Sequence, residues 1–331
     1  MAPPLNLYAE ARAGKLAPAV ADVPARAYVP GAEDHTVSVI DAASFEPLER
    51  LTVDRGPQHV VPSWDLSQLW VLSTEADTIT PLDPRTGEAG PKVSVTDPHN
   101  LYFTPDGTTA IVLAPAQQRL DLYDPLTWQL QGTVAIRHAG ITHGDLSDSG
   151  RFFYAGAEQS GWVVKVDLQE RRVSAEAQVG ALPVDVRLAP DATVLYVADA
   201  GRHGVALLDP VDLREITFLP TGRGAHALQL SRDTTKLYVS NRLEGSVSVV
   251  DLTSQEVVAT WRVPGGSPDA GGVSADGTQL WLAGPFHDEV YVLDTTTGQL
   301  IRRIATGAAP HAVTVFPQPG RFSLGHTGIY R

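Results

Sequence analysis

Short runs of alternating apolar and polar residues recur along the whole chain, and turns rich in Asp, Gly and Pro separate them. VSVID at 37–41, VALLD at 205–209 and VYVLD at 290–294 are typical. A period of two residues favours β-strands, because successive side chains point to opposite faces of a sheet. Helical periodicity is nearly absent outside residues 5–20. The pattern therefore predicts an all-β protein.

The strand-like runs belong to one repeat of about 42 residues. Seven runs end in aspartate with spacings of 41 to 43 residues: Asp41, Asp83, Asp124, Asp167, Asp209, Asp251 and Asp294. Each unit contains four short strands, which describes one blade of a β-propeller. We therefore predict a single-domain, seven-bladed β-propeller of four-stranded blades over residues 25–317, with an N-terminal extension (1–24) and a C-terminal tail (318–331).

The ends of the chain must close the ring of blades. Residues 27–53 provide three outer strands without an inner one, and AVTVF at 312–316 reads as the innermost strand of a blade. We predict that the two ends combine in one blade. RFSLGHTG at 321–328 competes for a place in that blade, so one of the two segments must lie elsewhere, as a tail packed on the closing blade or as a flap.

The aspartate that ends each third strand is predicted to be structural. Asp at the start of a turn accepts hydrogen bonds from backbone amides two residues on, and Gly in the same turn adopts positive φ. Asp294-Thr-Thr-Thr-Gly298 has this form.

Several units resemble the YVTN β-propeller repeat family. VRLAPDATVLYVADA (186–200), LQLSRDTTKLYVSNR (228–242) and GGVSADGTQLWLAG (271–284) match its pattern, although the first two lack the turn glycine. The resemblance covers nearly all of residues 25–317 and implies the propeller fold. It implies little about function, since the family includes surface proteins, lactonase-like enzymes and haem- or metal-binding propellers. It also implies an extracytoplasmic location.

A second column of residues lies at the start of each innermost strand. It carries His or Asp in every unit, with spacings of 40 to 44 residues: His59, His99, His143, Asp185, His226, Asp269 and His311. Innermost strands line the central channel of a propeller, so the column predicts a His/Asp ring at one mouth of that channel. Strand pairing does not require these residue types, and crowding them near one axis is costly unless ions or hydrogen bonds compensate.

Three interpretations of the ring stay open: a transition-metal site for Cu, Zn, Fe or Ni, a site for a polar organic ligand, and a hydrogen-bonded structural ring. The leading hypothesis is the metal site. Since the ring is too wide for seven ligands to reach one ion, we expect three or four ligands or a small cluster. His59, His143, His226 and His311 are preferred and His99 comes next, while Asp185 and Asp269 either bind the ion or orient imidazoles.

Other polar residues near the ring could act on a substrate. Arg187, Asp145 and Tyr102 are the catalytic candidates, and Arg223 precedes His226; a channel salt bridge is the simpler interpretation of the charged ones. His35, His138, His203 and His287 map to loops on the same face, where plain solvent exposure is the simpler interpretation. His326 lies in the unassigned tail.

Composition narrows the function classes. The chain has 331 residues, no cysteine, ten histidines and 38 acidic against 25 basic residues, for a net charge of −13. Thiolate sites and disulfides are therefore excluded, and nucleic acid is not an expected partner. No apolar run approaches the ~20 residues of a membrane span, and no signal peptide is visible. Phosphate-loop, dinucleotide, nucleophile-elbow and haem-attachment motifs are also missing from the sequence.

These observations favour a metal-binding propeller, acting as a metal-dependent redox or hydrolytic enzyme on a small molecule if it is an enzyme. A non-catalytic extracytoplasmic binding or surface protein is one alternative, with a cell-envelope ligand as its partner. A lactonase-like or haem-related propeller enzyme is the other. We expect a monomer.

Overall fold

Seven four-stranded antiparallel sheets form the protein, and each sheet is one blade of a propeller. The structure, a computed structural model, describes residues 5–331. The predicted all-β, seven-bladed fold is confirmed. No helix of the described residues is long and apolar enough to cross a membrane.

Blades are numbered in chain order, and the strands of the first three are as follows. Blade 1 contains β1 (Arg26–Gly31), β2 (Thr36–Asp41) and β3 (Pro47–Thr52); blade 2 contains β4 (Pro57–Pro62), β5 (Leu69–Ser73), β6 (Thr78–Leu82) and β7 (Val93–Ser94); blade 3 contains β8 (Asn100–Phe103), β9 (Ala110–Ala114), β10 (Arg119–Tyr123) and β11 (Leu130–Ala135).

The remaining strands make four blades and complete the first. Blade 4 contains β12 (Ile141–Leu146), β13 (Phe152–Ala157), β14 (Trp162–Asp167) and β15 (Arg172–Gln178), and blade 5 contains β16 (Pro183–Leu188), β17 (Leu195–Asp199), β18 (Gly204–Leu208) and β19 (Glu215–Pro220). Blade 6 contains β20 (Ala225–Leu230), β21 (Lys236–Asn241), β22 (Ser246–Asp251) and β23 (Glu256–Arg262), and blade 7 contains β24 (Gly271–Val273), β25 (Gln279–Gly284), β26 (Glu289–Asp294) and β27 (Leu300–Ala305). The last strand, β28 (Thr314–Phe316), belongs to blade 1. Short 3-10 helices span Ala9–Ala11, Pro18–Val20, Thr74–Ala76 and Pro115–Gln117.

The two ends of the chain close the ring as predicted. Strand β28 pairs antiparallel with β1, placing Phe316 opposite Arg26 and Thr314 opposite Tyr28. The innermost strand of blade 1 therefore comes from the C-terminal part of the chain and the other three from the N-terminal part. This junction holds the ring together, because every blade then packs between two neighbours.

Burial follows the order of strands within each blade. The three inner strands are almost wholly buried, as in LWVLS of β5, while the outer strand β3 is mostly exposed. The core lies between adjacent blades, where large side chains such as Trp281, Tyr196 and Tyr28 are almost completely enclosed.

The column of aspartates is structural, as expected. In Asp294, one carboxylate oxygen accepts hydrogen bonds from the amides of Thr296 and Thr297 at 2.9 and 2.7 Å. Asp41 does the same for Ala43 and Ser44. These bonds fix the turn between the third and fourth strands of each blade.

The C-terminal tail crosses the far mouth of the channel, where the innermost strands end. It lies against β8: the Phe103 amide donates to the Leu324 carbonyl at 2.9 Å, and the His326 amide donates to the Leu101 carbonyl at 2.9 Å. Segment 321–328 is therefore the one that lies outside the closing blade. The N-terminal segment covers the same mouth, with the Leu7 amide bonded to the Pro190 carbonyl.

Candidate metal centre

The column residues sit where the innermost strands begin, and irregular pairing places several of them. The register of the first two strands shifts between Pro57 and His59 in blade 2 and between Ile141 and His143 in blade 4. Blades 5 and 6 have the same irregularity around Asp185 and His226. A bulge adds a residue to one strand and re-aims the following side chains. The local backbone thus turns these side chains towards the channel.

Four of the predicted ring histidines come together in the channel. The His59 ring lies 5.5 Å from that of His99, 5.5 Å from that of His143 and 4.9 Å from that of His311, measured between centroids. His226 is farther out, with its ring 6.3 Å from that of His143. The structure thus brings four of the seven column residues together and leaves His226 at the edge of the group.

A fifth histidine joins the cluster from the tail. His326 is 1 % exposed, and its ring lies 5.3 Å from His59 and 5.0 Å from His143. Asn100, which is fully buried, donates one amide hydrogen to His326 Nδ1 at 3.0 Å and another to the Thr142 carbonyl at 3.1 Å. Neither residue was predicted from the sequence to belong to the site. The one available signal was that His326, the tenth histidine, lies outside the repeat.

Two sets of three histidines have ligand atoms within 4.8 Å of one another. One is His59, His99 and His311, and the other is His59, His143 and His326. The hydrogen bonds of the rings decide which set has nitrogens free to bind an ion, and His59, which belongs to both sets, comes first. His59 Nδ1 lies 2.8 Å from the His99 carbonyl, which can only accept, so Nδ1 carries the proton and Nε2 is free to bind an ion.

The first set offers three free nitrogens. The Nε2 atoms of His59, His99 and His311 are all buried and lack a hydrogen-bond partner among the described residues. In the second set, His326 Nδ1 accepts from Asn100, so the neutral ring carries its proton on Nε2 and has no free lone pair. The donor set of a metal site therefore fits His59, His99 and His311 best.

The cluster favours neutral imidazoles. Burial, together with the charge of His311, lowers the pKa of His99 to about 3, and burial lowers the pKa of His311 to about 4. Burial and the surrounding histidines hold the pKa values of His59, His143 and His326 well below the usual range. Neutral imidazole is the form that binds metal ions.

His226 and Asp269 form a separate pair at the rim of the cluster. His226 Nδ1 lies 2.5 Å from a carboxylate oxygen of Asp269, whose other oxygen accepts from Arg242 at 3.0 Å. Burial would raise the pKa of Asp269, but the charges and hydrogen bonds of these partners hold it well below its usual range. A carboxylate that orients an imidazole is the usual arrangement for moving a proton.

Asp185 and the catalytic candidates have structural partners. Asp185 accepts from the amides of Val186 and Leu228 at 2.9 and 2.8 Å, and burial raises its pKa to about 6. The hydroxyl of Tyr102 accepts from the Gly144 amide. The side chain of Arg187 lies 3.9 Å from that of Asp145 and donates to the Leu228 carbonyl.

Asp145 anchors both ends of the chain. Its carboxylate accepts from the Tyr8 hydroxyl at 3.1 Å and from two backbone amides, and Arg331 lies 3.8 Å away. Arg331 also donates to the carbonyls of Leu146 and Ser147. The Asp145 carboxylate therefore helps to hold the two ends of the chain over the far mouth of the channel, below the histidine cluster.

The loop histidines lie outside the cluster. His35 and His203 occupy left-handed turn positions and bond backbone groups through Nδ1. His203 and His287 are exposed, and His287 is 3.1 Å from the Ser267 hydroxyl. His138, by contrast, is buried: it stacks on Trp162 and lies 3.1 Å from Glu176. Arg223 is exposed.

The fold and the channel define a seven-bladed propeller with a buried histidine cluster. The chain belongs to the YNCE-like beta-propeller family, whose model matches residues 3–321. No curated protein sequence matches it significantly.

Solved structures share the fold at low sequence identity. A functionally unknown protein from Desulfotomaculum acetoxidans DSM 771 aligns with a TM-score of 0.75 and 15 % identity, over 88 % of this chain and 98 % of that one. Hydrazine synthase from Kuenenia stuttgartiensis gives 0.65 and 18 %, over 83 % and 96 %. Dihydro-heme d1 dehydrogenase NirN in complex with DHE gives 0.64 and 16 %, over 88 % and 75 %. These likenesses concern the fold alone.

Proposed function

We propose that this protein binds one divalent transition-metal ion in the channel, through Nε2 of His59, His99 and His311. The observation that carries the proposal is that these three nitrogens are buried and unpartnered among the described residues, while each of the three rings has a nitrogen within 4.8 Å of one in the other two. Leaving them without a partner is costly, and one ion would satisfy all three. Imidazole donors suit zinc, copper and nickel.

Three histidine ligands leave coordination positions for water or a small molecule. A bound ion of this class would act as a Lewis acid and lower the pKa of its water. His99 and His311 are only partly buried, so the site opens towards the near mouth of the channel. The His226–Asp269 pair is placed to accept a proton at that rim.

The spacing of the rings favours an ion over a macrocycle. Centroids within the cluster lie 4.9 to 6.4 Å apart, so a porphyrin placed between any two of the rings would overlap the other rings. The haem-related alternative therefore finds less support in this geometry. The two other interpretations of the cluster, a site for a polar organic ligand and a hydrogen-bonded structural ring, both predict that no metal ion binds in the test below.

The test is metal analysis and titration of protein purified without a histidine tag. We expect about one ion per chain, with Zn²⁺, Cu²⁺ or Ni²⁺ raising the melting temperature. His311→Asn should abolish this binding, whereas His203→Asn, at an exposed loop histidine, should retain it. His143→Asn separates the two sets of three and should also retain it. Native protein that holds no metal and whose melting temperature none of these ions changes would overturn the proposal, as would loss of binding in His143→Asn alone.

A further inference from the structure

A second cavity lies at the far mouth of the channel, beneath the chain ends. Its volume is about 60 Å³, and it is bounded by the ends of β16, β20 and β24, by the N-terminal segment at Tyr8, and by the tail at Thr327 and Tyr330. Since one water needs roughly 10–15 Å³ by this measure, the cavity holds a few waters or one small polyatomic ion. None of the histidines of the metal centre lines it.

Several buried polar atoms on its wall have no hydrogen-bond partner among residues 5–331. They are Nε of Arg187, the hydroxyl of Tyr330 and Oε1 of Gln229. The three residues are 6 %, 2 % and 7 % exposed. Buried polar groups are nearly always satisfied by protein, water or a ligand, so three orphans around one cavity indicate an occupant.

The wall also carries an excess of positive charge. Arg232 lines the cavity and bonds only neutral oxygens: the carbonyls of Ser274, Val273 and Ala11 and the amide oxygen of Gln318. Burial lowers the pKa of Arg232 to about 10, so its guanidinium stays charged at neutral pH.

Arg187 adds a second guanidinium, which faces two carboxylates outside the cavity wall, those of Asp145 and Asp185. Asp145 is 3.9 Å away and is also bonded by Tyr8 and two amides. Because Arg232 has no carboxylate partner among the described residues and no acidic side chain lines the cavity, an anion would best balance the charge of its wall.

We propose that this cavity binds a small carboxylate or oxyanion, of the size of formate, acetate or nitrate. Arg187 Nε and the Tyr330 hydroxyl donate to it, Arg232 supplies charge, and the Gln229 amide turns to offer its N–H₂. The bound anion links the tail to blades 5 and 6. The proposal is independent of a metal ion in the histidine cluster.

Two variants change the cavity without removing a hydrogen bond of the fold. Tyr330→Phe deletes one unpartnered hydroxyl. Gly272→Ala places a methyl group in the cavity, where the nearest atoms are the Thr327 and Val313 carbonyl oxygens at 3.7 and 3.9 Å, an ordinary contact distance. Tyr123→Phe, in blade 3, is the matched control.

The experiment is titration with sodium formate, acetate and nitrate, followed by calorimetry and by melting temperature, with sodium chloride at equal ionic strength as reference. We expect saturable binding of at least one of these anions in the wild type and in Tyr123→Phe. Affinity should fall about tenfold or more in Tyr330→Phe, since a hydrogen bond to a charged group is lost, and further in Gly272→Ala. No saturable binding beyond the chloride reference, or binding that both cavity variants retain, would overturn the proposal.

Discussion

The metal-free protein should lose stability steeply in mild acid. His59, His143 and His326 are buried, His99 and His311 are partly buried, and the pKa values of all five are depressed well below 6.5. In the unfolded chain the same histidines take up protons as the pH falls through 6.5, while the folded state keeps them neutral. Stability is therefore fully present above 6.5 and decreases as the pH falls below it.

The magnitude follows from the number of histidines. Each one kept neutral one pH unit below 6.5 costs about 1.4 kcal/mol, so five cost on the order of 7 kcal/mol at pH 5.5. Asp185 has a smaller effect of opposite sign on the stability. Because its pKa in the folded state is raised to about 6, the folded protein takes up this proton at a higher pH than the unfolded chain, which offsets less than about 1 kcal/mol of the loss. Since domains are stable by about 5–15 kcal/mol, the loss is a large share of the total.

Thermal unfolding of chelator-treated protein at pH 7.5 and 5.5 measures the effect. We expect the melting temperature to fall by about 12 °C, using a net loss on the order of 6 kcal/mol and roughly 2 °C per kcal/mol for a chain of this size. His203→Asn, at an exposed turn, should show the same fall, whereas His143→Asn should show a smaller one. A melting temperature that is unchanged between the two pH values would refute the account of a neutral, buried cluster.

Three further predictions concern single contacts. Asp269→Asn should cost about 2 kcal/mol in urea unfolding, because the partly exposed Arg242 and the ring of His226 lose their bonds to a buried carboxylate; equal stability of Asp269→Asn and wild type would contradict this. Gly325→Ala should release the tail, since its Cβ would clash with the Leu101 carbonyl oxygen, and hydrogen exchange over 321–331 should rise; unchanged exchange there would contradict this. Asp294→Ala should cost about 1 kcal/mol through its turn, measured by thermal unfolding.

The repeat made the fold predictable from sequence. Asp41 and Asp294 occupy equivalent turns, and each accepts two backbone amides in the structure. Because a propeller depends mainly on contacts between neighbouring blades, a period of about 42 residues specifies the architecture. Closure was predictable for the same reason: an inner strand was missing at one end of the chain and present at the other.

The histidine cluster was only partly predictable. Its position at the start of the inner strands follows from the repeat, but the repeat places His226 and His99 equivalently. The structure separates them: His226 pairs with Asp269, whereas His99 joins His59 and His311. Side-chain direction and tautomer decide this, and both depend on neighbours in other blades, such as the His99 carbonyl that bonds His59.

The contribution of the tail was beyond the reach of the repeat. His326 and Asn100 meet across 226 residues of chain, and no periodic signal links them. The course of the tail is set by backbone bonds to β8 and by Gly325, whose φ of 101° side chains rarely adopt. Such non-periodic contacts require the folded structure.

The most direct test of the central claim is anomalous X-ray diffraction from metal-loaded crystals, recorded at the absorption edge of the bound ion. We predict one strong anomalous peak in the channel, marking an ion bound by Nε2 of His59, His99 and His311 at about 2.0–2.1 Å. A peak bonded to His143 or His326 instead, or no peak in the channel at saturating metal, would contradict it.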